Sequence, residues 1–441
     1  MEKEKQEKAI KKQAEFIEAL TYEDLPKEVV EQAKLVLLDS IGCMAVGNQY
    51  EGIHTMAQGY YSVVGKMKSE KTTAIFLNGC AMVRNEMDEG NQFASGHPAC
   101  HIVPAFLAEC QESMELSGKD AITALVAAYE VSCRWGSSVK TKPAMHVHGT
   151  MQTAGAAVVV GKLRKCSSEE MEKAILLANS LPQMTTWQSA FFGDQIRNAY
   201  VGLSNEIGAN TYGMIQAGIE SSVETLYSVW GDVVDGNIDE EGLIRELGKD
   251  YYITKNYFKV LAACRYTHSF VDVMDGFMKD GLRPKDIERI EIDTYHAAAK
   301  LSGQQARNSF GAKFSIPVSL AIKMIYGELT TESMTDEHVY DAGVRELAKR
   351  IFVHEKPEYN LLLPEIRKNG MKVIKKDGTS LISETEVTKG DYLDPFSKEE
   401  VITKFRSLTA KIWNREKQKQ IIDFVNHLDE KENLQELFEM I

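Results

Sequence analysis

Two stretches of the chain, GTMQTAGAAVVVG (149–161) and VGLSNEIGANTYGMIQAG (201–218), are unusually rich in small residues. Side chains of this size let helix backbones approach closely, because the residues at the contact set the distance between packed helices. The chain must therefore fold around tightly packed helices. Neighbouring segments agree. Ile10, Ala14, Ile17 and Leu20 share a helical face of residues 4–20, and Ile122, Leu125, Val126 and Tyr129 repeat the pattern in 119–135. Pro26 stands where a first helical turn tolerates it. Beyond it Val29, Val30, Ala33, Val36 and Leu37 carry an apolar face to Gly42 and Gly47.

The texture changes after about residue 285. RIEIDTYHA (289–297) alternates and is rich in β-branched residues, which predicts a strand; RIFVHEKPEY (350–359) predicts a second. MKVIKKDGTSLISETEVT (371–388) predicts a hairpin around Asp377-Gly378. A helix is predicted over 317–329, ending near Gly327, and helical spacing returns from Ser397 with Val401, Phe405 and Leu408. The fold class is mainly α: a large all-helical domain built from both chain ends, with a smaller inserted α+β domain. The boundaries fall at 1–255 for the helical domain, 256–396 for the α+β domain and 397–441 for a helical tail that rejoins the first domain. An insertion of this kind creates a cleft, where ligands commonly bind.

Charge narrows the function. The 441 residues hold 51 Lys+Arg against 64 Asp+Glu, a net charge of −13, which argues against nucleic-acid binding through a broad basic face. A polyanionic substrate would need a local basic pocket to overcome that charge. The longest apolar run, LVLLDSIGCMAVG, is broken by Asp39, so no membrane span is expected. The charged N-terminal segment leads into no apolar signal core. The 7 cysteines include no CxxC pair and read as reduced thiols of a cytoplasmic protein.

No Walker loop, GxGxxG, HExxH or GxSxG motif occurs. The chemistry must come from histidines set among glycines and polar residues, in four groups. In MDEGNQFASGHPACHIVPAFLAEC (87–110), Asp88, His97 and His101 lie within short reach, at a loop entering a helix. In MHVHGT (145–150), an extended backbone would point His146 and His148 to one side, and Gly149-Thr150 would start the small-residue helix; His148 is the better pocket candidate. In FFGDQIRNAYVG (191–202), Arg197 and Asn198 open a helix, and the arginine could hold a carboxylate bidentately. In KVLAACRYTHSF (259–270), Lys259, Arg265 and His268 fall near the domain junction, with Asp272 close enough to orient His268 as a general base.

Together these segments resemble the MmgE/PrpD family. LLDSIGCMAVG (37–47) is similar to its early D-x-x-G-x-x-x-x-G helix, and LNGCAMVRNEMDEG (77–90) to its N-G-x-x-x-H-x-x-D-x-D segment. GHPACHIVPAFLA (96–108) resembles H-P-S followed by P-A-x-L-A, and HGTMQTAGAAVVVGKL (148–163) resembles H-G-T with its glycine/alanine helix. CRYTHSFVDVMD (264–275) is similar to C-x-x-x-H, and FSIPVSLA (314–321) to F-S-x-P-x-x-x-A. The resemblance implies two domains, the α+β one acting as a lid, and lyase or isomerase chemistry without a cofactor on small di- and tricarboxylic acids. It places Asp88, His97, His148, His268 and Lys259 in the catalytic pocket. Arg197 stands where active members carry a lysine, Val83 replaces the histidine of the N-G segment, Glu86 its first aspartate, and Val318 a tyrosine. A homodimer is expected.

The leading expectation is thus a cytoplasmic lyase or isomerase that moves a proton next to a carboxylate. His268 or His148 would carry the proton, with His97, Asp88 and Lys259 supporting and Arg197, Asn198 and Arg265 holding the substrate. No metal or other cofactor is expected. The alternatives are a metal-dependent hydrolase or lyase using His97, His101, Asp88 and His148, and a non-catalytic small-acid binder.

Overall fold

The structure, a computed structural model, describes residues 2–50 and 59–441. Nine helices of the N-terminal part frame the site: α1 (Glu2–Ala19), α2 (Lys27–Gly47), α3 (Lys71–Arg84), α4 (Val103–Glu112), α5 (Gly118–Ser138), α6 (Ala154–Leu163), α7 (Ser168–Asn179), α8 (Trp187–Phe192) and α9 (Ile196–Gln216). Capping residues fix several starts. Ser117 accepts the Asp120 N–H while the Asp120 carboxylate takes the Ser117 N–H, and Ser167 and Glu170 do the same for α7.

The small-residue stretches pack as their composition requires. A Cβ on Gly79 of α3 would lie 2.9 Å from Gly202 Cα of α9, and a Cβ on Gly208 would lie 2.5 Å from Ala156 Cβ of α6. Thus α9 is wedged against α3 on one side and α6 on the other, at distances only glycine and alanine permit. One expectation changes. Helix α6 starts at Ala154, because Gly149 adopts a left-handed φ of +75° and residues after it form turns before the helix can begin.

The C-terminal part contributes α10 (Arg265–Lys279), α11 (Ile316–Tyr326) and α12 (Lys398–Thr409), and four strands: β1 (Ile287–Thr294), β2 (Ile351–Glu355), β3 (Asn369–Lys375) and β4 (Ser380–Thr385). The sheet order is β4-β3-β1-β2. Ile290 pairs with Ile351 in parallel and with Val373 antiparallel. Ile290, Ile292, Met371 and Val373 form its buried face, and the opposite face carries charges such as the His354–Glu291 pair at 2.6 Å. The hairpin turns at Gly378 with φ +83°, as Asp377-Gly378 predicts. The second strand is shorter than its sequence span, because Pro357 has no N–H for a ladder and opens a 3-10 turn over Pro357–Leu362 instead.

The two parts are not cleanly separable. Residues 256–257, inside the span read as the α+β domain, pair antiparallel with Gly90–Asn91 of the helical part. The tail helix α12 lies on α2, with Phe405 against Gly42 and Lys404 Nζ 2.5 Å from Asp39 Oδ1. Buried apolar residues from both parts form one continuous core. All seven cysteines are free thiols. Among the described residues no helix is long and apolar enough to cross a membrane.

Candidate active site

The site starts where α3 stops. After Arg84 the chain turns sharply, and Glu86 takes a φ of +55°, a conformation non-glycine residues rarely adopt. Ser95, further along the same segment, has φ +51°. Both residues line the site cavity, and backbone strain of this kind persists only where surrounding structure imposes it.

Glu86 and Asp88 converge on one ammonium group. Lys259 Nζ lies 3.3 Å from Glu86 Oε2 and 3.0 Å from Asp88 Oδ1. The other oxygen of Glu86 pairs with Arg197, whose Nη1 also donates to the Val83 carbonyl at 3.0 Å. The second oxygen of Asp88 lies 2.9 Å from His97 Nδ1. Charges therefore alternate along a chain running Arg197, Glu86, Lys259, Asp88, and the chain ends on the His97 ring. The first four side chains are at most 2% exposed, whereas His97 is 14% exposed. Burial would lift the Asp88 carboxyl, but Lys259 and His97 outweigh it and hold the group well below the usual range. Burial would depress Lys259, and Asp88 with Glu86 raise it above its ordinary value instead. Both stay charged.

The histidines divide by what their nitrogens do. His97 Nδ1–H donates to the Glu89 carbonyl at 2.7 Å, which leaves Nε2 as the free acceptor. His146 Nδ1 accepts the His148 N–H at 3.1 Å, so its neutral ring carries the proton on Nε2, and that atom is buried with no partner. His148 stacks on His146 at 4.8 Å and lies 5.1 Å from His97, with its own Nε2 unpartnered. Burial, reinforced by the Arg197 charge, pushes both His146 and His148 well below the usual imidazole range, so they are neutral. His101 is fully employed: Nδ1 lies 3.1 Å from the His97 carbonyl and Nε2 accepts the Gly149 N–H at 3.2 Å. Burial lowers it to about 4.

The cluster borders a cavity of about 480 Å³ between the two parts. His97, His146, Arg197 and Tyr257 line it from one side, and Arg265, Lys300 and Arg367 from the other. Lys140 and Lys142 add to its basic lining, whereas Glu86 is the one acid among the described lining residues. The local basic pocket that a chain of net charge −13 needs for an anionic substrate is present.

The sequence-predicted residues fall into two layers. His97 and Arg197 reach the cavity; Asp88, Lys259 and His148 stand directly behind its wall. Arg265 lines the cavity, but its charge is paired with Asp391 Oδ1 at 2.6 and 3.0 Å. His268 does not reach the cavity: Nδ1 accepts from Arg265 at 3.2 Å and Nε2 lies 3.2 Å from the Ala263 carbonyl. Asn198 gives its amide to Gln195 Oε1 at 2.7 Å. Sequence reasoning ranked His148 over His146, although the extended backbone that aligns them offered either; it had no signal for Arg367 or Tyr257. The metal set read from sequence is not the one that converges. Cys100, His101 and His148 offer donors within 4.8 Å of one another, but both His101 nitrogens are engaged and burial pushes the Cys100 thiol well up.

Lys313 lies on the far side of the same turn. It is buried, donates to the Arg84 carbonyl at 3.1 Å and has no carboxylate in ion-pair reach among the described residues. Burial drives its pKa from 10.5 down to about 7. Between those values the unfolded chain binds the proton and the folded one does not, so stability rises with pH across that window. Lys313→Met is expected to remove this rise. In urea unfolding, the variant's advantage over wild type should be greatest at pH 7 and below and shrink towards pH 10; parallel curves would refute the shift.

The fold is that of a mainly helical protein in two parts, with a basic, histidine-lined cavity where they meet. The chain belongs to the MmgE/PrpD family: residues 11–215 match its N-terminal domain and residues 261–430 its C-terminal domain. It is 21% identical to a cis-aconitate decarboxylase of Aspergillus terreus, over 96% of this chain and 93% of the relative. It is 22% identical to the cis-aconitate decarboxylase of Mus musculus, over 95% and 90%, and 23% identical to that of Homo sapiens, over 95% and 92%.

Proposed function

We propose that the protein is a lyase or isomerase that needs no cofactor and moves a proton at a carbon next to a carboxylate of a small di- or tricarboxylic acid. The observation that carries this reading is the pairing of roles in one basic cavity: His97 with a free Nε2 acceptor backed by Asp88, and His146 with an unpartnered Nε2–H donor. His97 takes or returns the proton. Asp88 stabilises the imidazolium that forms, and Lys259 keeps Asp88 ionised. The neutral His146 donates to the oxygen on which enediolate charge develops, a fixed dipole aimed at the reacting group. The sheet-bearing part acts as a lid that brings Arg265, Lys300 and Arg367 over the cavity. Elimination, decarboxylation and epimerisation differ in which group leaves once charge has developed. Kinship with cis-aconitate decarboxylases supports the carboxylate substrate.

The test is a panel of small di- and tricarboxylates followed by proton NMR in D₂O, with and without a chelator. At least one acid should exchange its α-proton or turn over, equally well in both conditions. No exchange across the panel, or activity restored only by added metal, would sink the reading.

A further inference from the structure

Three guanidinium groups line the cavity, and two of them already have counter-ions: Arg197 is paired with Glu86 and Arg265 with Asp391. The third, Arg367, has no carboxylate in ion-pair reach among the described residues, and its Nη1 is shut off from solvent without a hydrogen-bond partner. It is not loosely placed. Its guanidinium lies 5.4 Å from the ring centroid of Tyr257 and 5.4 Å from that of Tyr266. The segment that leads to it is tied to the helical part by Gln92, whose side-chain amide donates to the carbonyls of Pro364 at 2.7 Å and Glu365 at 3.1 Å.

We propose that Arg367 is the guanidinium of this cavity that binds substrate: it clamps a carboxylate other than the one beside the reacting carbon and so selects acids that carry an additional carboxylate. The proposal rests on the reading of the cavity as a carboxylic-acid site. A guanidinium always carries its charge, and withdrawing it from water without a counter-ion is costly. Its planar fork matches a carboxylate through two parallel N–H donors. The aromatic faces hold the guanidinium by cation–π attraction while its N–H edges remain for a ligand. Tyr257 also sets the reach, because its ring stands 6.3 Å from that of His97, so one small acid spans from the clamp to the proton carrier. Arg197, by contrast, is held by Glu86 and the Val83 carbonyl and serves the charge chain.

The test is calorimetric binding of two probes that share a carbon backbone, propane-1,2,3-tricarboxylate and pentanedioate, to wild type, Arg367→Met and Arg367→Lys. Wild type should prefer the tricarboxylate. Arg367→Met should lose about 30-fold or more in affinity for it, the scale of removing one partner from a charge-assisted pair, and lose less for the dicarboxylate. Arg367→Lys should fall between, since the charge remains and the fork is gone. Without ligand, Arg367→Met should melt at or above the wild-type temperature, because an unpaired cation has been removed. The tricarboxylate should raise the melting temperature of wild type and leave that of Arg367→Met unmoved. Unchanged selectivity in both variants overturns the proposal, as does a lower melting temperature of unliganded Arg367→Met with binding intact, which marks a packing residue. If wild type binds neither probe, the proposal and the functional reading fall together. If selectivity depends on Arg367 while no acid exchanges a proton, the functional reading fails and the clamp stands.

Discussion

Replacing Lys259 with methionine is expected to destabilise the protein by about 3–5 kcal/mol, the range measured when one partner of a buried ion pair is removed. The ammonium is fully buried and bridges Glu86 and Asp88. Without it Asp88 faces only His97, and Glu86 faces only Arg197, with both carboxylates buried. Neutralising a carboxylate at the same time should relieve much of the loss. The double variant Lys259→Met/Asp88→Asn is therefore expected to be more stable than Lys259→Met alone, because Glu86 keeps Arg197 as its partner while Asp88 has no other fixed cation, and a double-mutant cycle reads the coupling directly. Urea unfolding at pH 7 measures both. A loss below about 1 kcal/mol, the scale of a surface pair, would mean that the alternating chain is not closed in solution.

His97→Gln should have the largest effect on turnover, a loss of about 10²–10⁴-fold with little change in stability, since positioned acid–base groups supply that much. The side chain sits at the cavity end of the charge chain, so its removal opens no buried pair beyond the contact to Asp88. His268→Gln is the informative contrast. Its ring touches Arg265 and a backbone carbonyl and does not line the cavity, so its loss is expected to act through Arg265 and to appear mainly in KM. A greater fall in kcat for His268→Gln than for His97→Gln would reverse the two roles.

Local features of the fold were legible because short-range chemistry decides them. Asp377-Gly378 fixes the hairpin and Gly327 ends α11 with a left-handed φ of +83°. Gly149 was misread because a small-residue run looks helical throughout, while the turn before α6 depends on that one residue's φ. In the site, His97 was legible from its loop-to-helix setting. The role of Arg197 was not. Its chemistry fits a carboxylate clamp, but whether such a charge is free depends on what lies across the fold, and Glu86 lies there. Likewise Arg265 meets Asp391, which the sequence places far downstream. Arg367 sits in a segment with no motif around it, and its cavity position and lack of a counter-ion emerge only from the fold. Glu86 and Arg197, two positions where the resemblance leads one to expect other residues, are in contact across the fold.

The contact between α12 and the start of the site also bears on how the protein is made. Lys404 Nζ donates to the Met87 carbonyl at 2.5 Å and pairs with Asp39, pinning the backbone between Glu86 and Asp88. During synthesis, the segment that carries Glu86, Met87 and Asp88 leaves the ribosome long before Lys404 does. Until then Asp39 is a carboxylate without its cation and the turn at Met87 lacks its brace. A nascent chain can build α2 and α3 early, yet the turn between Glu86 and Asp88 gains its brace only once α12 has emerged. The emerging helical part therefore has to wait with that turn unbraced.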